Sequence, residues 1–237
     1  MVRHWWRAVL SVRRALAVGA HPDDVEFQAG GTLARWVREG VHVELAYFTA
    51  GEKGTMDTAA TPAEIGRVRM AEIEAAAAAI GAAGVHLLGA VDGELEVNMP
   101  LRLAVARLVR TVRPDVVLGH DPWRRWLLHP DHRAAGLLTV DGVVAAREPL
   151  YVPELAAEGL PAHRPHTLLL FGTDAPDEVV EIGSVLDVKL AAIRAHQSQL
   201  GDPAETERRI RTWNAAIGAD FGLGPAEAFH TLDTRGR

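Results

Sequence analysis

The chain has 237 residues, no cysteine and a formal net charge of −6. Without cysteine there are no disulfides, thiolate zinc sites, iron–sulfur clusters or cysteine nucleophiles, so any bound metal must be held by His, Asp or Glu. Hydrophobic residues make up 48% and charged residues 24%, ordinary globular usage that excludes a mainly disordered chain. The acidic balance gives no nucleic-acid footprint, and no apolar run reaches the ~18–20 residues of a membrane span.

The basic start, Met1 to Arg7, is interrupted at Arg13 and Arg14 before an apolar signal segment can form. It reads as a loose extension of about 1–13 on a cytoplasmic protein. Ala15–Gly19 is predicted as a buried strand, and Gly30–Glu39 as a helix with Leu33, Trp36 and Val37 on one face. A second strand follows at Val41–Phe48, then a loop over 50–62. Pro62 opens an Ala-rich helix to about Ile80, with Thr61 as its N-cap. Val85–Leu88 is a third strand, Pro100–Val112 a helix and Asp115–Leu118 a fourth strand. A helix from about His129-Pro130 to Ala146 precedes a Pro-rich connection. Strands at Thr167–Phe171 and Val179–Ile182 and helices at Val185–Gln199 and about Pro203–Ala216 complete the pattern, with 231–237 as a loose tail.

Alternating strands and helices, with short continuous apolar strands, indicate one α/β domain: a mostly parallel sheet with helices on both faces. Sites in such sheets lie beyond the carboxyl ends of the strands. Four polar segments fall there: His21–Asp24, Thr49–Lys53, Gly89–Glu94 and His120–Pro122.

His21-Pro22-Asp23-Asp24 puts one imidazole and two carboxylates within four residues. Adjacent carboxylates repel unless a cation or proton relieves them, so one can bind a metal while the other faces a water. Helix capping is the plainer alternative for a lone Asp. His129-Pro130-Asp131-His132 opens a helix, and imidazoles three residues apart can share a face. Together the segments offer His, Asp and His ligands with an open position, as a catalytic zinc requires, and leave a carboxylate and a His for acid–base chemistry. Gly51–Gly54 lacks a phosphate-loop pattern, and no Gly-x-Gly-x-x-Gly or Gly-x-Ser-x-Gly is present. Trp123–Trp126 reads as a pocket rim, a subunit contact or plain surface. Lys189 with His196–Gln199 reads as structural hydrogen bonding or part of the site. His120, at a strand end, is a weaker candidate for the site.

At these residues the sequence resembles the PIG-L/LmbE family of zinc-dependent deacetylases. Ala20–Asp24, Gly30–Leu33, Thr49–Thr55, Arg69–Glu72, Asp92–Leu95, Arg113–Val117, His129–Arg133 and His196–Gln199 carry the likeness, in the family's order. It implies a Rossmann-like (LmbE-like) fold that removes an acyl group from an amino sugar, most often N-acetylglucosamine within a larger small-molecule conjugate. It also implies His21, Asp24 and His132 as ligands of Zn2+, with Fe2+ or another divalent ion also compatible. Asp23 becomes the general base. His129 stabilises the oxyanion and helps protonate the amine. Glu52, Arg69 and Asp92 fall where relatives contact sugar hydroxyls.

The resemblance allows a homo-oligomer, since relatives range from monomers to higher assemblies. Three features depart from it. Leu127 stands where the mycothiol-pathway branch has a tyrosine, Val25-Glu26 follows the Asp pair where several relatives have Glu directly, and Arg147–Pro165 looks like a bacterial subgroup whose substrates are mostly undefined. Three rival readings follow: a mycothiol-conjugate-like amidase, a phosphoesterase needing a second metal, and a non-catalytic sugar- or nucleotide-binding module.

Overall fold

A computed structural model describes residues 12–235. The loose N-terminal extension expected over 1–13 lies almost wholly outside the described residues. Its last two members are anchored: Val12 packs on the core and the Arg13 amide donates to Asp115 Oδ2 at 2.7 Å.

Seven strands form one sheet: β1 (Arg14–Gly19), β2 (His42–Thr49), β3 (Gly84–Ala90), β4 (Val116–His120), β5 (Thr167–Phe171), β6 (Glu178–Glu181) and β7 (Ala226–Asp233). Their order is β3-β2-β1-β4-β5-β7-β6. β1 to β5 run parallel, and β7 pairs antiparallel with both β5 and β6. The helices are α1 (Asp24–Arg38), α2 (Pro62–Ile80), α3 (Met99–Val112), α4 (Pro130–Arg147), α5 (Pro153–Ala157), α6 (Leu186–Ala195) and α7 (Pro203–Ala219). Two apolar clusters flank the sheet. One joins β1 and β2 to α1, α2 and α6 through Leu33, Trp36, Tyr47, Ile73 and Ile193. The other joins the opposite face to α3 and α4 through Leu16, Phe48, Val109 and Leu138. Full burial of such side chains contributes about 1.5–3 kcal/mol each.

The strand order reverses between β1 and β4, the switch point where α/β sheets open a crevice at their carboxyl edge. His21–Asp24 and His120 follow these two strands.

Three expectations change. The tail expected to be loose from 231 is ordered through Asp233: Thr231, Leu232 and Asp233 complete β7 opposite Leu169, Leu168 and Thr167. The helix expected from Gly30 begins at Asp24, because the first turn carries buried Asp24 and Glu26 rather than an apolar stripe. The helix expected over 185–199 stops at Ala195. His196 leaves helical geometry, and the Ser198 amide and hydroxyl bond Glu72 on α2. The Thr61 cap is present as a full capping box with Glu64.

Candidate active site

The turn after β1 is built around one carboxylate. Asp24 Oδ2 accepts the amides of Ala20 (2.9 Å) and His21 (2.8 Å) and lies 3.1 Å from His120 Nε2. Asp24 Oδ1 lies 3.1 Å from His132 Nε2, and His21 Nδ1 is 3.6 Å from Oδ2. Burial pushes the Asp24 carboxyl up, but His120, His132 and His21 outweigh it and hold it well below the usual range.

The second motif comes from the first turn of α4. His129 caps that helix: the Asp131 amide donates to its Nδ1 at 3.3 Å. The four imidazoles form one cluster: His132 stacks on both His120 and His129, and His21 meets His129 edge-on. Ring centroids are 4.4 Å apart for His120–His132, 4.6 Å for His129–His132 and 4.8 Å for His21–His129. On its other side, His21 Nε2 sits 3.1 Å from both Asp92 and Asp131. Burial lowers the His21 pKa, but Asp24 and Asp92 more than reverse this and raise it to about 10.

Nitrogen and oxygen donors therefore converge where a cation would be welcome. Three overlapping groups bring their donor atoms within 4.8 Å of one another: His21–His129–His132, Asp24–His120–His132 and His21–Asp92–Asp131. Asp131 Oδ1 is buried without a partner. A set of imidazoles and carboxylates that is buried at His21, Asp24, His120, Asp92 and Asp131 and open to solvent at His129, with such an orphan, fits a divalent transition ion.

Asp23 points its chemistry elsewhere. Its backbone is in the left-handed region (φ 97°), which costs a non-glycine residue of order 1–3 kcal/mol. The consequence is geometric, because consecutive carboxylates are turned to different tasks. Burial and the Asp24 charge raise Asp23 to about 7, against the opposing Arg69 guanidinium.

Arg69 Nη2 donates to the Pro22 carbonyl at 2.5 Å and lies 3.5 Å from Asp23 Oδ2, while Nη1 donates to the Gly51 carbonyl. A Cβ at Gly51 would stand 2.1 Å from Nη1, and φ there is +63°, so only glycine makes room for the guanidinium. Glu52 Oε1 accepts the Asp92 amide, and Asp92 Oδ2 accepts the Lys53 amide. Glu52 Oε2 is buried and unpartnered. The three residues expected at sugar hydroxyls thus also lock the loops after β2 and β3 onto the site.

Two expectations left open are resolved. His120, a weak candidate from sequence, is buried within the cluster. Lys189 is structural: its Nζ is 2.6 Å from Glu227, in a fully buried pair. Trp123 and Trp126 are exposed on the strap between β4 and α4, Trp126 with φ 62°.

Residues 16–143 match the PIG-L family, described as GlcNAc-PI de-N-acetylase. The chain belongs to this family. It is 33% identical to diacetylchitobiose deacetylase of Thermococcus kodakarensis over 188 residues, 79% of this chain and 70% of that protein. It is 35% identical to the 1D-myo-inositol 2-acetamido-2-deoxy-alpha-D-glucopyranoside deacetylase of Acidothermus cellulolyticus over 235 aligned positions, 80% of each chain. Its fold superposes on N,N'-diacetylchitobiose deacetylase from Pyrococcus horikoshii with a TM-score of 0.90, at 29% identity, over 95% of this chain and 86% of that one. Among the described residues no helix is long and apolar enough to cross a membrane.

Proposed function

We propose that the protein hydrolyses the N-acetyl group of an amino-sugar conjugate in a zinc-dependent reaction, with His21, Asp24 and His132 as the metal ligands. Similarity to deacetylases that act on N-acetylated glucosamine compounds supports the substrate class. The observation that carries the reading is Asp23: a second carboxylate directly beside Asp24 that joins none of the donor groups, lies 3.5 Å from Arg69 and is raised to about 7. A divalent ion held there would lower the pKa of water and polarise the amide carbonyl.

The chain's own groups supply the rest. Asp23 takes a proton from the attacking water. Arg69, held by two backbone carbonyls, keeps that carboxylate in place and favours its charged form. The Asp131 amide occupies His129 Nδ1, which fixes the tautomer with its proton on Nε2. Burial, His132 and His21 lower the His129 pKa, so the ring is neutral at pH 7 and Nε2–H donates to the oxyanion of the tetrahedral intermediate. With His129 neutral, the proton reaching the leaving amine is the one Asp23 collected. Leu127 offers no hydroxyl, so His129 carries the oxyanion contact without help from that position. His120 donates to Asp24 Oδ2 and leaves Oδ1 for the metal.

Acetate release from a panel of N-acetylated glucosamine derivatives, before and after loading with Zn2+, tests the reading. Turnover in the loaded protein supports it. No acetate from any member would defeat it.

A further inference from the structure

The sheet order puts different walls on the two sides of the donor cluster. Glu52 and Asp92 lie on the loops after β2 and β3, to one side of the β1 and β4 ends that carry His21, Asp24 and His120. Towards β5 and β7 the crevice stays open. A cavity of about 320 Å³ there is lined by Asp24, Phe27, Gln28, Arg209, Ile210 and Trp213. A second, of about 210 Å³, shares Gln28 and Trp213 and continues to Thr173 beyond β5. Together they form a trough that starts at a proposed metal ligand and runs between α1 and α7.

Three of its lining side chains are apolar. Ile210 is buried, Phe27 packs against the core, and Trp213 keeps 37% of its surface exposed. The indole has a fixed support: Lys189 Nζ sits 5.5 Å from its centroid and is itself paired with Glu227. The charges along the trough are mixed, with Arg209 at one end and Asp220 at the other. No concentrated positive charge is present to hold an anion.

Amide geometry decides what points this way. The secondary amide of an N-acyl amino sugar is trans, so its sugar ring and its acyl chain leave the C–N bond in opposite directions. With the carbonyl at the donor cluster and the sugar hydroxyls towards Glu52, Arg69 and Asp92, the acyl carbon is directed away from β2 and β3, into the trough. A single methyl group would leave most of a 320 Å³ cavity empty. An alkyl chain would instead cover Phe27, Ile210 and Trp213 and remove apolar surface from water.

We infer that this trough is an acyl-side subsite that admits N-acyl chains longer than acetyl, with Phe27, Ile210 and Trp213 lying along the alkyl chain. The inference rests on the amide-hydrolysis reading above and adds the range of acyl groups removed.

Carboxylate binding tests it apart from turnover. Acetate, butyrate and hexanoate, the acids that such hydrolysis releases, are titrated by calorimetry into the zinc-loaded protein and into its Trp213→Ala and Gln28→Phe variants. Butyrate should bind about tenfold more tightly than acetate, and hexanoate more tightly still, since each buried methylene is worth up to about fourfold. The butyrate-to-acetate ratio should fall several-fold in Trp213→Ala, which removes the apolar plate. It should fall to about one in Gln28→Phe, which fills the trough. A native series that is flat or favours acetate, a ratio unchanged in either folded variant, or tighter binding of succinate than of butyrate would each overturn the subsite. Acetate release from N-acetylglucosamine derivatives by the native protein judges the deacetylase reading separately. If Trp213→Ala does not fold, Gln28→Phe decides.

Discussion

His132 Nε2 meets Asp24 Oδ1 at 3.1 Å, although 108 positions separate them in the chain. β1 and β4 are neighbours at the point where the strand order reverses, so the segments that follow them must converge at one edge. The remaining geometry hangs on that contact. Asp24 is shared by His120 on Oδ2 and His132 on Oδ1, with His21 Nδ1 3.6 Å from Oδ2, and its neighbour Asp23 is left for the proposed proton transfer.

Asp23→Asn and His129→Ala should separate chemistry from metal binding. Each should lower kcat by about 10²–10⁴-fold, the usual worth of a general base or an oxyanion donor. Metal content by elemental analysis should stay near that of the native protein. Near-native turnover in either variant would remove that residue from the proposed mechanism.

Arg69→Ala should move the acidic limb of the kcat/KM profile. A base works deprotonated, so activity falls as pH drops through its pKa. Burial and Asp24 raise Asp23 to about 7, and Arg69 is the leading influence that lowers it. Without the guanidinium the pKa climbs, and the limb shifts to higher pH. A limb that stays put or moves downward would mean that Asp23 is not the titrating base.

His120→Ala should weaken the site without destroying it. Its Nε2 bonds Asp24 Oδ2, and loss of such a supporting partner costs about 10–100-fold in metal affinity. Competition against a chelator of known affinity reads this directly. Unchanged affinity would make His120 a bystander.

How much of this is legible in the sequence follows from what each residue answers to. The parallel strands announce themselves because both faces are buried: Ala15, Leu16, Ala17 and Val18 are all fully covered. The ligand motifs are visible because His-Pro-Asp-Asp and His-Pro-Asp-His are dense in donors and lie beyond strand ends. β7 is hidden because its buried Glu227 looks like a surface residue until Lys189 and the amides of α1 are found around it. The start of α1 is hidden for a related reason. Asp24 and Glu26 are buried there by partners distant in sequence, His120 and Tyr47, which no local periodicity reports. His120 is easily undervalued because a lone strand-end histidine carries no motif.

That same buried pair of Lys189 and Glu227 predicts a stability effect. Lys189→Met leaves Glu227 charged and fully buried without its cation, and should cost about 3–5 kcal/mol. Burial is the chief influence lowering the Lys189 pKa, with Glu227 opposing it. The double change Lys189→Met with Glu227→Gln should recover part of the loss. Urea unfolding midpoints of the native, single and double variants measure it. A single variant within about 0.5 kcal/mol of native would show the pair to be dispensable.

The most direct measurement is a crystal structure of the zinc-soaked Asp23→Asn protein with anomalous data at the metal edge. One ion is expected at about 2.0–2.2 Å from His21, Asp24 and His132, with the substituted amide at position 23 close by but not bound. An ion seated instead among His21, Asp92 and Asp131, or no ion within reach of Asp24, would contradict the proposed site.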